Sequence, residues 1–351
     1  MAVKRNSESS SSGGGKSSRD AAIEEFAGRH LTGPNQDLYQ EMMLTLTRMA
    51  NDEASRGDVK LLHKAMQELR YGFKVFAPYR ETPKISIFGS SRTAEDDPNY
   101  LSAQEFARKM CRSGWMIITG AGDGIMKAGH GGAGVEKSFG VAIRLPFEQT
   151  TNTIIANDPK LVNFRYFFTR KVVFLKESRA IALFPGGFGT QDEGFEALVL
   201  MQTGKAPVVP VVMLERKDGT YWQHWRTYLQ SELLRTGMIS EQDMSLFHVT
   251  DDVDDAVSHV TRFYRVYHSQ RFVNGDLILR LNRGLADQTV ERLNDEFGGI
   301  VEQGKIVLCD ALPEEGGELA DKPRLKFRFD RRSFGRLRQL LDIVNAEGLS
   351  E

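Results

Sequence analysis

Short apolar runs alternate with helix-period segments through the middle of the chain. Residues 84–88, 115–118, 141–145, 180–184 and 207–214 are dominated by Ile, Val, Ala, Leu, Met and Phe and have strand length. That is the pattern of parallel strands buried on both faces. Between them apolar residues recur at helical spacing: Phe106 with Met110, Phe195 with Leu198 and Val199, and Trp222 with Trp225 and Leu229. A short edge strand is predicted at 247–249 and a closing helix from about 251 to 267. Strands and helices alternating in this order predict an α/β fold, a doubly wound parallel sheet of Rossmann-like type.

The two flanks read differently. Residues 1–19 are Ser, Gly and Lys with almost no apolar content, a composition that cannot offset its ordering entropy, so a disordered tail without a secretory signal is expected. Residues 20–80 form an N-terminal helical extension of two helices, carried by Leu38, Met42, Leu46 and Met49, then Leu61, Leu62, Ala65, Leu69 and Phe73. Ser55-Arg56-Gly57-Asp58 separates them, with Asp58 as the expected cap. The central domain spans 81–268, with a long connection over 146–159. Residues 269–351 predict strands at 276–281, 305–309 and 325–329 and helices at 288–297 and 334–343. This β-α-β-β-α order is most of a ferredoxin-like α+β unit, and is expected to fold around its own core and to serve packing, regulation or assembly. The acidic stretch Pro313 to Glu318 is expected to be a solvated connection.

Three glycine turns follow predicted strands: Gly89-Ser90-Ser91, then Gly120-Ala121-Gly122-Asp123-Gly124, then Pro185-Gly186-Gly187-Phe188-Gly189-Thr190. Glycines at a strand end let a ligand approach the main chain, and the helix that follows offers unpaired N–H groups to an anion. Thr190-x-x-Glu193 has the spacing of a helix capping box, which would explain the carboxylate without any chemistry. It would not explain Gly186, Gly187 and Gly189. Arg170 and Lys171, one helix upstream, are the cations available to balance Glu193. A literal G-x-G-x-x-G at Gly129, Gly131 and Gly134 lies inside a predicted helix and reads as close helix packing, not as a dinucleotide fingerprint.

Pro185-Gly186-Gly187-Phe188-Gly189-Thr190-Gln191-Asp192-Glu193, with Thr169-Arg170-Lys171 before it, resembles the P-G-G-x-G-T-x-x-E and Arg-Lys signatures of the LONELY GUY (LOG) family. The turn at 119–126 is similar to that family's T-G-G-G-x-G-x-M, with Ala121 in place of one glycine. Plant-type members carry Met-His where this chain has Phe167-Phe168. The resemblance covers residues 84–266 and implies a nucleoside 5′-monophosphate phosphoribohydrolase that releases free base, as from AMP or a cytokinin riboside monophosphate, and ribose 5-phosphate. It implies Glu193 and Arg170 as catalytic, with Gly89, Ser90, Gly120, Gly122, Gly124, Lys171, Gly186, Gly187, Gly189 and Thr190 holding the substrate. It also implies a homodimer or larger homo-oligomer. The alternatives are a nucleotide sensor without turnover and, following a label the family often carries, a pyridoxal-phosphate decarboxylase. No lysine here has a convincing Schiff-base setting for the second.

Composition narrows the partners. Formal net charge is −1 over 351 residues, which gives no electrostatic case for nucleic acid or a membrane surface. No run of 18 apolar residues predicts a membrane span. Two distant cysteines, Cys111 and Cys309, and seven histidines without ligand spacing predict no metal and no cofactor, and suit a reducing cytoplasm.

Overall fold

The computed structural model describes residues 18–144 and 151–347; residues 1–17 of the expected tail, 145 of the third predicted strand, 146–150 of the long connection and 348–351 lie outside the described residues. The chain divides into two compact units between Met66 and Gln67.

The first unit holds α1 (Ser18–His30), α2 (Gln36–Asn51) and the first half of α3 (Arg56–Phe76). Three helices stand where the sequence pattern predicted two. α1 has little apolar periodicity to announce it, and only Ile23 and Ala27 are buried in it. The cap of α3 is Ser55 and not Asp58: the Ser55 hydroxyl accepts the Asp58 N–H at 3.2 Å and donates to its carboxylate at 2.8 Å. Leu38, Met42 and Leu46 of α2 are exposed.

The second unit begins with the rest of α3 and contains two sheets. The first is built from β1 (Lys84–Phe88), α4 (Pro98–Arg112), β2 (Met116–Thr119), α5 (Ile125–Ala133), β3 (Ser138–Ile143), β4 (Leu161–Phe164), α6 (Phe167–Glu177), β5 (Ala180–Leu183), α7 (Phe188–Gln202), β6 (Val211–Leu214), α8 (Tyr221–Tyr228), β7 (His248–Thr250) and α9 (Val253–Phe263). Its seven strands are all parallel, in the order β4-β3-β2-β1-β5-β6-β7. Alternate residues of each strand face opposite layers. Ile118, Val141, Val211 and Met213 pack with Phe76, Phe174, Met201 and Trp222 from α3, α6, α7 and α8. Ile85, Ile87, Ile117 and Val212 pack with Phe106, Met110, Ala128 and Val260 from α4, α5 and α9. Burial on both faces is why these strands read as continuous apolar runs. Within α5, Gly129 sits against Thr119 of β2, and a Cβ at Gly132 would overlap the Gln104 carbonyl of α4, the close packing expected of that glycine run. Strand order reverses between β1 and β5, so a crevice opens beyond their carboxyl ends.

The second sheet follows directly: β8 (Tyr267–Val273), β9 (Asp276–Leu281), α10 (Asp287–Phe297), β10 (Val301–Cys309), β11 (Arg324–Phe329) and α11 (Phe334–Ala346). It is antiparallel, in the order β10-β11-β9-β8. β9-α10-β10 with β11 inserted between is the split βαβ of a ferredoxin-like unit, here with the outer strand moved to the front of the chain. That front strand, β8, falls partly where a closing helix to residue 267 was predicted; α9 ends at Phe263. The acidic connection between β10 and β11 is exposed as expected, except at Glu315. Glu315 is buried and accepts from Arg280 Nε (2.8 Å) and Arg324 Nε (3.0 Å). The core of this sheet is not separate. Val208, Phe263 and Val266 from the first sheet's connections share one cluster with Leu279, Phe327, Phe334 and Leu340.

Candidate active site

Each glycine turn is shaped by what it packs against. After β1, Ser90 N–H donates to the Pro185 carbonyl (3.1 Å) and the Ser90 carbonyl accepts from Ile125 N (3.0 Å), which draws the three turns together. Gly124 holds φ +60° under Ser90, where a Cβ would overlap the Ser90 carbonyl. A Cβ on Gly120 would lie 2.6 Å from Arg170 Nη2. One on Gly186 would overlap the Thr190 hydroxyl. Gly187 and Gly189 differ from these: neither has a positive φ, and a Cβ on either would meet nothing within 4 Å.

A cleft of about 860 Å³ lies at the strand-order reversal. Its walls bring together Gly89, Ser90, Gly120, Arg170, Gly186, Gly187, Gly189, Thr190 and Glu193 from the residues singled out in the sequence. It leaves out three. Gly122 turns its carbonyl to Asn152 Nδ2 (2.9 Å), and Gly124 is the packing glycine just described. The Lys171 ammonium is taken by two carboxylates of α7, Asp192 (2.8 Å) and Glu196 (2.5 Å), so it ties α6 to α7 and does not line the cleft.

Helix α7 settles the status of Thr190 and Glu193. It starts at Phe188, ahead of Thr190, with Gly187 as N-cap and no side-chain cap bond. There is no capping box. Thr190 and Glu193, three apart, instead share the helix face turned to the cleft. Glu193 is only 7 % exposed. Burial pushes its carboxyl up to about 7, against the opposing pull of Lys171 and then Arg170. The expectation that Arg170 and Lys171 balance Glu193 is therefore corrected: no ion pair joins either to it, and desolvation outweighs both cations.

Arg170 is positioned from below. Glu68 of α3 accepts from Arg165 N (3.0 Å) and the Thr169 hydroxyl (2.8 Å), anchoring the first turn of α6. The Arg170 guanidinium rests over the Phe174 ring at 5.2 Å, and its Nε has no hydrogen-bond partner among the described residues. Burial lowers its pKa and the charge of Glu193 raises it; the net direction is down.

Several wall residues carried no sequence signal. Tyr221, at the start of α8, donates to the Gly186 carbonyl (2.5 Å) and accepts from Gln191 Nε2 (2.6 Å), bracing the turn. Pattern reading finds the apolar face of α8 through Trp222 and passes over its neighbour. Arg92 adds a second cation, and Phe188 stands 96 % exposed at the rim.

Residues 120–260 match the family model described as "Possible lysine decarboxylase". The match falls within the parallel-sheet domain, whose turn motifs resemble those of the LOG family. No curated protein matches the chain. Among solved structures, the chain is similar to the molybdenum cofactor carrier protein of Chlamydomonas reinhardtii, at 20 % identity over 52 % of this chain and 98 % of that one, TM-score 0.36. It is similar to the molybdenum cofactor binding protein of the phototrophic bacterium Rippkaea orientalis, at 17 % identity over 52 % and 96 %, TM-score 0.37. DNA processing protein A of Helicobacter pylori aligns at 13 % identity over 53 % and 83 %, TM-score 0.36. The LOG-like domain points to nucleotide-related chemistry, and no helix among the described residues is long and apolar enough to cross a membrane.

Proposed function

We propose that the cleft binds a nucleoside 5′-monophosphate and hydrolyses its N-glycosidic bond to free base and ribose 5-phosphate. The observation that carries this reading is Glu193: a buried carboxyl, free of any capping role, facing the same cleft as a guanidinium that has no carboxylate partner among the described residues. Arg170, Arg92 and the open N–H groups at the start of α7 suit the 5′-phosphate. Gly187 and Gly189 suit close approach of the ribose phosphate, since nothing in the packing requires glycine at either position. In the reaction the C1′–N bond breaks with its electron pair left on the base, and the ribose gains oxocarbenium character. Ionised Glu193 stabilises that charge and accepts a proton from the attacking water, whose oxygen bonds to C1′. The proton passes to the departing base. A carboxyl near 7 is matched to taking and returning a proton at neutral pH.

Among the described residues no lysine lines the cleft, so a pyridoxal Schiff base has no anchor there. Phe167 of α6 and Phe188 of α7, both exposed, line the cleft, and Phe168 and Val172 of α6 and Val199 of α7 are exposed as well. A second copy covering these side chains would make at least a dimer with the cleft near the interface. The test of substrate class is AMP against adenosine. Free adenine from AMP and little from adenosine is expected; equal release from both would rule out the phosphate-binding role, and AMP bound without release would mark a sensor.

A further inference from the structure

A second cavity, of about 320 Å³, opens where β7 and α9 of the parallel sheet meet α11 of the C-terminal sheet. Arg338 of α11 forms its most buried charged wall, 2 % exposed. Its guanidinium lies over the Phe263 ring at 4.9 Å. Nε donates to Asp342 (3.0 Å) and Nη2 to His259 Nε2 (3.3 Å), while Nη1 is buried with no hydrogen-bond partner among the described residues. Native interiors seldom leave a charged donor unsatisfied unless something fills the place. The donation from Arg338 makes His259 Nε2 an acceptor and leaves its proton on Nδ1. Burial, with Arg338 beside it, pushes the His259 imidazole down to about 3, so it stays neutral. Its ring stacks on His248 at 4.4 Å, and His248 Nε2 is 2.6 Å from Asp255. Arg262, one turn further along α9, lines the same cavity; Nε donates to the Ser258 hydroxyl (2.9 Å), and no carboxylate among the described residues pairs with it. The two carboxylates present are already engaged, Asp255 by His248 and Asp342 by Arg338.

We propose that this seam binds a small anionic metabolite, carboxylate- or phosphate-bearing, held by Arg262 and the charge of the Arg338 side chain in its wall. The volume is at the lower end for small-molecule sites, roughly 300–1,000 Å³. Because the walls come from both sheets, an occupant ties α9 to α11 and lets the C-terminal unit report a ligand to the LOG-like domain. This second site does not depend on the hydrolase reading.

The test titrates the full chain calorimetrically with inorganic phosphate and, separately, with citrate, in an Arg170→Gln background so that the main cleft contributes little. Binding is expected, weakened about tenfold or more by adding Arg262→Gln, an exposed position whose loss should not disturb folding. Arg338→Met, which keeps an apolar stem over Phe263, should weaken it equally. Tighter phosphate binding assigns a phosphorylated ligand, and tighter citrate binding a polycarboxylate. Failure of both anions to bind, or binding unchanged by Arg262→Gln in a folded protein, overturns the proposal.

Discussion

A buried carboxyl in a polar cleft has two measurable signatures, one in catalysis and one in stability. Glu193→Gln should reduce base release by about 100- to 1,000-fold, the usual loss for one transition-state electrostatic group. Turnover within a few-fold of the parent would remove Glu193 from the mechanism. The stability signature has a definite sign. The folded-state value lies above the ordinary 4.5, so folding favours the protonated form. The contribution is fully present below about pH 4.5 and is lost as pH rises through about 7, an effect on the order of 3 kcal/mol. Glu193→Gln should therefore melt close to the parent at pH 5 and above it at pH 8. A variant less stable at both values would indicate a structural role instead. The same titration predicts that kcat/KM of the parent rises with pH through about 7, since the reaction uses the carboxylate. A profile falling through that range would make Glu193 the acid.

At the scale of elements, the β5–α7 turn separates glycines that packing requires from those a ligand would. Gly186→Ala forces a Cβ into the Thr190 hydroxyl and should cost about 1–3 kcal/mol of stability, read as a lower Tm. Gly187→Ala has φ −84° and open space, so its Tm should hold while KM for the nucleotide rises. Unchanged KM would mean that no ligand approaches there. This turn was legible because strand, glycines and helix follow one another within fifteen residues. Two neighbouring strands were not. β4 is the four residues Leu161-Val162-Asn163-Phe164, too short to stand out after a long connection. β8, Tyr-His-Ser-Gln-Arg-Phe-Val, is mostly polar because much of it is only half-buried. Its one local signal is Asn274-Gly275, with φ of +50° and +91°, the primed hairpin turn that joins it to β9. Three of the twelve proposed site residues fell outside the cleft for a related reason. Gly124 and Gly122 serve the turn's own geometry, and Lys171 follows the carboxylates of α7, relations that sequence spacing does not encode.

At the scale of the molecule, the alternation of apolar runs disclosed the parallel sheet, but the expected independence of the C-terminal unit fails on packing. Phe334 sits against Gly204, a Cβ on Gly335 would overlap the Gln242 carbonyl, and Val208, Phe263 and Val266 lie in the C-terminal core. Deleting residues 270–351 cuts β8 and strips these side chains of cover, so aggregation is expected, and not the clean removal that a unit with its own core would allow. A soluble, active truncated protein would contradict that. The apolar rim of the cleft predicts a mass of at least twice the 39.5 kDa chain by light scattering at micromolar concentration, and a single monomer mass would count against the covered mouth. The most direct measurement follows adenine and ribose 5-phosphate together as the full-length protein acts on AMP, alongside its Glu193→Gln variant. The account predicts equimolar base and sugar phosphate from the parent and nearly none from a folded variant. AMP that binds and is recovered intact, or a variant that turns over as fast as the parent, would contradict it.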